Sequence, residues 1–503
     1  MINLGLQRIS RLLAPLFAQH PTLPWKAVHI AGTNGKGSVA ALVATFLSAA
    51  GYRVGRFTSP HLVDRWDCIT LDQRAVERDK FLSVEQRLKA AIGGRSAVDS
   101  DDGDGDGNGN GNGVVNNDDA PSEFEILTAT AFELFTAEGV DVAVIECGLG
   151  GRLDATNVLR SHDVIVSVLT KVGLDHTEFL GSTLEAVAAE KSGIFKNGVP
   201  VVVDESNAPA VLEVVSQKLK ALAAAEGGGV LESGPFVLPQ QQRDRLLQNQ
   251  DIAHMGLARH QCQNLMTAFT AYYLAEEQLV KPQAEVPGTA TGTSTSPATL
   301  SRTRFAQHIA TTTQYLPSLI WTAQSSLRGR LEWLYLPSSV FTSRIPGIET
   351  VKVLLDGAHN PQSAQALAEY IASHVRDHSS SAGPVTWVLA AKQDKDIRTM
   401  LSLLLQPSDN VVTCSFGPVD GMPWVKSMDA SELAGTVREF TTGTVEVGLG
   451  GSVQKAVQRA IEIAYVPEAG APYETGTGTR PLCIAGSLYL VGDVLRWLKE
   501  LEE

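Results

Sequence analysis

One short segment limits the folds open to this chain more than any other. Trp25-Lys26-Ala27-Val28-His29-Ile30 is β-rich, Gly32-Thr33-Asn34-Gly35-Lys36-Gly37-Ser38 is glycine-rich, and residues 39–50 carry an Ala/Val/Leu helical pattern. Strand, loop and helix in that order point backbone N–H groups and a helix N-terminus at one place. Lys36 adds a positive charge there, and the Ser38 hydroxyl comes within reach of Mg2+. The loop departs from the common G-x-x-x-x-G-K-[ST] form: Ile30 stands at the first glycine position and Gly37 separates lysine from serine. By the general pattern the match is partial, and a glycine-rich turn without a ligand is the competing reading.

The same alternation continues downstream. Residues 123–138 read as helix, 141–147 as a buried strand ending in glycines, and 164–169 and 201–203 as further strands. Ser182-Thr183-Leu184-Glu185 has the form of a capping box opening an alanine-rich helix that reaches Lys191. Strands alternating with helices predict a parallel α/β sheet. Beyond about Ser325 the pattern restarts, with strands at 351–355, 385–391, 410–416, 444–448 and 481–485, a helix capped by Asn360 with Pro361 at its first position, and a final helix over 487–501. The expectation is a P-loop-type ATPase domain over 1–324 followed by a smaller Rossmann-like domain over 325–503. Ser96 to Ser122, almost all Asp, Gly, Asn and Ser, cannot bury enough apolar area to offset chain entropy and reads as a disordered insertion. Residues 224–229 and 286–301 read as loops.

A chain of 503 residues exceeds one ordinary core, which agrees with two domains. Its net charge of -14 offers no general attraction to nucleic acid or anionic membrane, so a phosphate ligand needs local groups or a metal ion. The five scattered cysteines form no C-x-x-C pair and read as buried thiols, and no apolar run reaches membrane-spanning length. A cytoplasmic protein is expected. The start is acid-poor before Asp64 and carries Arg8 and Arg11, as in a mitochondrial transit peptide, so a minor mitochondrial pool stays open. Ile9, Leu12, Leu13, Leu16 and Phe17 instead make a helix face suited to packing beside the first strand.

The variant loop, together with Ser59-Pro60-His61-Leu62, the run from Glu146 through Gly150-Gly151-Arg152-Leu153-Asp154 to Asn157, Asp175-His176-Thr177-Glu178, Glu190-Lys191-Ser192-Gly193-Ile194, His260-Gln261 with Asn264, and Asp356-Gly357-Ala358-His359-Asn360-Pro361, resembles the folylpolyglutamate synthase and dihydrofolate synthase family of the Mur ligase superfamily. Six motifs in family order beyond the loop make the resemblance specific from residue 25 to the C-terminus. It implies ATP and two Mg2+ ions, with K+ as a further candidate: Ser59 and Glu146 on one Mg2+, His176 on the second, and Ser38 near the phosphates. Glu146 also stands on physical grounds, since Mg2+ prefers hard oxygen ligands and an acid at a strand end has no packing role, although a solvated acid would look the same. Lys191 near a helix end is ordinarily solvated or complements the helix dipole. The resemblance implies instead that CO2 carbamylates it into a metal-orienting anion, which requires a neutral amine.

By the same resemblance Asn264 is proximal to the adenine, Arg328 reaches the ATP phosphates with Arg330 as second choice, Asp356 contacts the ribose, and His359 lies against the nucleotide, which would be sandwiched between the two domains. The role of Lys392 and Asp394-Lys395-Asp396 stays open. The implied reaction joins L-glutamate to 7,8-dihydropteroate through an acyl phosphate, with Lys36, His176 and Lys191 as the catalytic set. Extension of a tetrahydrofolate tail, or both activities, is the alternative. Asn34 and Asn360 stand as in dihydrofolate synthases and bacterial enzymes, the segment from Asp64 to Thr70 looks closer to fungal dihydrofolate synthases, and pterin contacts are expected near that segment, Asp154 and Asn157. The partners are small molecules only, and a monomer is expected. A non-catalytic nucleotide binder on the same fold is disfavoured because Lys36, Ser38, Glu146, His176, Lys191 and His359 are all retained.

Overall fold

A computed structural model describes residues 5–98, 120–224, 236, 240, 244, 246, 248–279, 315–340, 349–376, 384–465 and 481–502. Most of the expected insertion at 96–122 and of the loops at 224–229 and 286–301 lies outside them. The insertion's edges are described: helix Arg78–Val98 runs into its start, and Ser122 caps helix Glu123–Ala137 in a capping box with Glu125. The chain divides into two compact units, Met1–Pro60 with Trp66–Ser326, and His61–Arg65 with Leu327–Glu503. The sequence reading placed residues 61–65 in the first.

The first unit is built on seven strands: β1 Lys26–Ala31, β2 Val54–Phe57, β3 Ile69–Leu71, β4 Arg74–Ala75, β5 Val142–Glu146, β6 Val164–Leu169 and β7 Val201–Val203. Their order is β4-β3-β2-β5-β1-β6-β7, parallel from β2 through β7, with β3 and β4 antiparallel at one edge. Every residue of β5 and β6 is buried, as expected of central strands covered on both faces. One face packs Ile9, Leu13, Phe81, Phe132 and Phe135 around Trp25, whose ring meets Phe132 edge-on at 5.3 Å. On helices Lys36–Ala49 and Arg259–Leu279, Phe46 meets Phe269 at 5.9 Å. Because β1 lies between β5 and β6, the loop leaving it opens where three parallel strands end together, the edge at which such sheets hold ligands.

The second unit has β8 Glu332–Pro337, β9 Thr350–Leu355, β10 Thr386–Leu389, β11 Asn410–Thr413, β12 Val445–Val447 and β13 Leu482–Ala485, ordered β12-β11-β10-β13-β9-β8. All neighbours are parallel except β8, an antiparallel edge strand absent from the sequence reading. Helices Val453–Ala464 and Leu488–Glu502 cover one face, and Pro361–Ile371, Ile397–Leu404 and Ala430–Val437 the other. Asn360 caps its helix with Pro361 at the first turn, as expected. The helix reaching Lys191 is capped by Thr183, whose hydroxyl accepts from Ala186 N–H, and not by Ser182.

Candidate functional site

The loop leaving β1 is fastened to the end of β6. Thr33 and Asn34 N–H donate to the Lys171 carbonyl at 2.8 and 3.1 Å, the Thr33 hydroxyl donates to the Gly173 carbonyl at 2.9 Å, and Thr170 Oγ1 donates to the Asn34 carbonyl at 2.8 Å. Two N–H groups expected to face a phosphate are therefore spent on protein, while the first N–H groups of helix Lys36–Ala49 have no partner within the helix. Gly35 caps this helix at φ 86°, a left-handed conformation, and a Cβ there would collide with the Asn264 carboxamide. Asn264, buried on helix Arg259–Leu279, thus lies directly over the loop, and Gln261 accepts from Ala258 N–H at 2.9 Å at that helix's start.

Lys36 Nζ stands 3.7 Å from Glu146 Oε1 and donates to the Thr33 carbonyl at 3.3 Å. Glu146 ends β5 only 4% exposed, and its other oxygen accepts from Ser59 N–H at 3.3 Å. The structure therefore brings Lys36, Ser59 and Glu146 to one strand edge. Gly37 and Ser38 occupy the first helical turn, half-buried.

Lys191 Nζ donates to the Gly32 carbonyl at 2.8 Å, so a lysine far along the chain reaches the loop that leaves β1. Burial, and secondly the nearby Lys36 charge, lowers its ammonium to about 7. A large neutral-amine fraction follows at neutral pH. The solvated-lysine reading fails, since Lys191 is 5% exposed. Asp175 acts on it electrostatically, and half-buried His176 follows at φ 51° as cap of helix Thr177–Leu180.

The turn after β5 is held by its own side chains. Asp154 accepts from Leu149 N–H at 2.9 Å, Thr156 N–H at 2.9 Å and the Thr156 hydroxyl at 2.5 Å, and burial raises its carboxyl. Asn157 donates to the Arg152 and Gly193 carbonyls and accepts from Lys196 at 2.8 Å. Both residues, expected near the pterin, are engaged in shaping the turn against helix Leu184–Lys191. At Gly151 a Cβ would lie 2.6 Å from the Lys191 carbonyl. Below them His29 Nε2 lies 2.8 Å from Thr156 Oγ1, and full burial drops its imidazole to about 3.

In the second unit Arg328 is exposed and pairs with Glu332 at 2.5 Å. Asp356 is buried, accepting from Leu331 N–H and Ala358 N–H, each at 2.8 Å, with the Arg330 charge opposing the upward push of burial on its carboxyl. His359 Nδ1 donates to the Gly357 carbonyl at 2.8 Å, an assignment that leaves Nε2 as the acceptor nitrogen. Lys392 pairs with Asp394 at 2.7 Å and Asp396 caps helix Ile397–Leu404.

Sequence reasoning missed Arg56, a 3% exposed arginine on β2. Its Nη1 donates to Ser326 Oγ at 2.8 Å, and the Glu146 carboxylate acts on its charge. The sequence gives little sign of it, because Gly55 and Arg56 break the apolar pattern by which Val54-Gly55-Arg56-Phe57 would read as a buried strand. Among the described residues no three His, Cys, Asp or Glu side chains cluster as a metal cage, and no helix is long and apolar enough to cross a membrane.

A family model described as the C-terminal domain of dihydrofolate synthetase matches residues 345–497. The probable dihydrofolate synthetase of Schizosaccharomyces pombe is 30% identical over 515 residues, covering 99% of each chain. The dihydrofolate synthetase of Saccharomyces cerevisiae is 30% identical over 504 residues, covering 98% of each. Among solved structures, Mycobacterium tuberculosis folylpolyglutamate synthase complexed with ADP and AMPPCP superposes with a TM-score of 0.65 at 23% identity, covering 98% of this chain and 95% of that one. At that identity the likeness establishes the two-unit α/β fold.

Proposed function

The chain belongs to the dihydrofolate synthase and folylpolyglutamate synthase family, and on that premise we propose that it is an ATP-dependent carboxylate–amine ligase joining L-glutamate to 7,8-dihydropteroate, with dihydrofolate, ADP and phosphate as products. The observation that carries this reading is the meeting of Lys36 and Glu146, 3.7 Å apart, at the mouth of a strand–loop–helix phosphate cradle. A fixed cation and a hard carboxylate oxygen at one strand edge suit a nucleotide phosphate and its divalent metal.

A carboxylate does not acylate an amine at neutral pH until one oxygen becomes a leaving group. The dihydropteroate carboxylate attacks the γ-phosphorus of ATP, the bond to the β-bridging oxygen breaks, and an acyl phosphate and ADP form. The α-amino group of glutamate then attacks the acyl carbon, loses a proton and expels inorganic phosphate. Lys36 and the N–H groups of the first helical turn hold the transferring phosphoryl group and neutralise its charge, so catalysis is positional and electrostatic.

The donor set fits a divalent metal: Glu146 and Ser59 would hold one Mg2+, and His176 with carbamylated Lys191 the second, while Ser38 faces the phosphates. Such ions supply charge neutralisation at the transferring group. Carbamylation is supported by the burial of Lys191, which keeps much of the amine neutral near pH 7. Asn264, lying over Gly35, is proposed to contact the nucleotide, and Arg328 and His359 are proposed as nucleotide contacts by the family resemblance alone. Asp356 holds the turn that presents His359.

Purified protein given MgATP and L-glutamate should release ADP with dihydropteroate and yield a product heavier by one glutamyl residue. Turnover of tetrahydrofolate alone would move the assignment to folylpolyglutamate synthase, turnover of both would make the enzyme bifunctional, and turnover of neither by folded protein would refute the ligase reading.

A further inference from the structure

Arg56 has no fold-level reason to be an arginine. Its Cα pairs with Val144 on β5, and Val144 and Glu146 project from the same face of that strand, so the guanidinium shares a face with the Glu146 carboxylate. On the other side Arg56 pairs with Thr70, whose hydroxyl is buried without a partner. The Arg56 Nε is likewise buried and unpartnered. A buried cation with an unsatisfied donor is costly unless a nearby charge or a ligand compensates, and an aliphatic residue would fill this strand position without that cost. Glu146 is therefore faced by Lys36 at 3.7 Å, by the Ser59 N–H and by Arg56. Two side-chain cations thus act on this one carboxylate.

Resting on the reading of Glu146 as a metal ligand, we propose that Arg56 and Lys36 together keep a free divalent cation off Glu146, so that the metal enters only as a complex with the nucleotide, and that Arg56 is the positioning residue responsible for this order. A bare divalent ion approaching Glu146 meets two fixed positive charges in a poorly screened, buried site, where like-charge repulsion is far stronger than in water. A nucleotide triphosphate brings several negative charges to the same place and gives Lys36 phosphate oxygens to hold in place of Glu146. Burial pulls the Arg56 guanidinium down to about 10, which leaves it a cation at neutral pH. The Nη1 bond to Ser326 anchors the side chain at its far end, so the charge stays in place when Glu146 turns to a metal.

The test is Mn2+ binding to the full-length protein, followed by electron paramagnetic resonance of the free ion, with and without AMPPCP. The wild type should take up no Mn2+ at Glu146 without the analogue and should bind it with the analogue, and Glu146→Gln should weaken that uptake. Arg56→Met, or Arg56→Gln should the first fail to fold by circular dichroism, should gain nucleotide-free Mn2+ affinity by at least about tenfold, and Glu146→Gln in the same chain should remove the gain. Arg56→Lys keeps the charge and should behave as wild type. Nucleotide-free Mn2+ binding by the wild type that Glu146→Gln abolishes would overturn the proposal while leaving the metal ligand assignment intact. Unchanged affinity in the folded neutral variants would also overturn it, reducing Arg56 to an anchor for Ser326. Uptake with AMPPCP that Glu146→Gln does not alter would instead refute the metal-ligand reading.

Discussion

Replacing Gly35 by alanine probes the phosphate cradle at its tightest point. The residue is held at φ 86°, where an L side chain costs roughly 1–2 kcal/mol. The new methyl group would also collide with the Asn264 carboxamide, which is buried and must leave its rotamer at about 0.5–1.5 kcal/mol. The two effects sum to about 1.5–3.5 kcal/mol, which for a domain of this size lowers the melting temperature by about 2–6 °C. Differential scanning calorimetry of Gly35→Ala, Asn264→Ala and the double variant separates them. Truncating Asn264 removes the collision and leaves the backbone strain, so the alanine at 35 should cost about 1 kcal/mol less in the Asn264→Ala background. The KM for MgATP should rise in Gly35→Ala, because the displaced carboxamide lies over the loop. Equal costs in both backgrounds would show that Asn264 does not press on Gly35 and would refute this account of the loop.

Lys36→Met should fold and lose at least about a hundredfold in kcat, read as ADP release, since the cation at the transferring phosphoryl group is gone. With 13C-bicarbonate, a carbamate carbon resonance should appear in the wild type, strengthen as pH rises through about 7 and be absent in Lys191→Arg. Between the folded value near 7 and the ordinary 10.5 the unfolded chain binds more protons at Lys191, so stability rises with pH across that window, and Lys191→Met should lack this component of the melting profile. His29 follows the same sign lower on the scale: its folded value near 3 lies below the ordinary 6.5, so the unfolded chain takes up the extra proton and stability falls as pH drops from about 6.5 toward 3. His29→Gln, compared by acid melting, should flatten that segment.

The central strands and the phosphate loop were legible in the sequence because the same residues encode both local form and burial. The β-branched run 164–169 and the triplet 201–203 are strands at those bounds, and Asn360-Pro361 starts a helix as its side-chain chemistry requires. Two strands were not legible, β8 at a sheet edge and β2 inside the first sheet. β8 carries Tyr335 at 66% exposure and β2 carries Gly55 and Arg56, so neither shows a clean apolar or alternating pattern. The capping-box spacing points to Ser182, which has Glu185 three residues on, whereas the backbone makes Thr183 the cap by bringing its hydroxyl to Ala186 N–H. Lys36, Ser59 and Glu146, each read from a separate motif, meet at one strand edge. The reach of Lys191 to the Gly32 carbonyl and the burial of Arg56 beside Glu146 are products of tertiary packing, invisible to spacing along the chain. Asp154 and Asn157, expected near the pterin, hold the turn after β5 through their own side chains, a role that spacing along the chain does not show.

The account turns on activation of a carboxylate as an acyl phosphate at the Lys36–Glu146 cradle, and the direct measurement is oxygen transfer. Dihydropteroate labelled with 18O in its carboxylate is incubated with enzyme, MgATP and L-glutamate, and the products are weighed by mass spectrometry. One labelled oxygen should appear in inorganic phosphate and the other remain in the new amide. Label in AMP, or none in phosphate while amide forms, would contradict the mechanism.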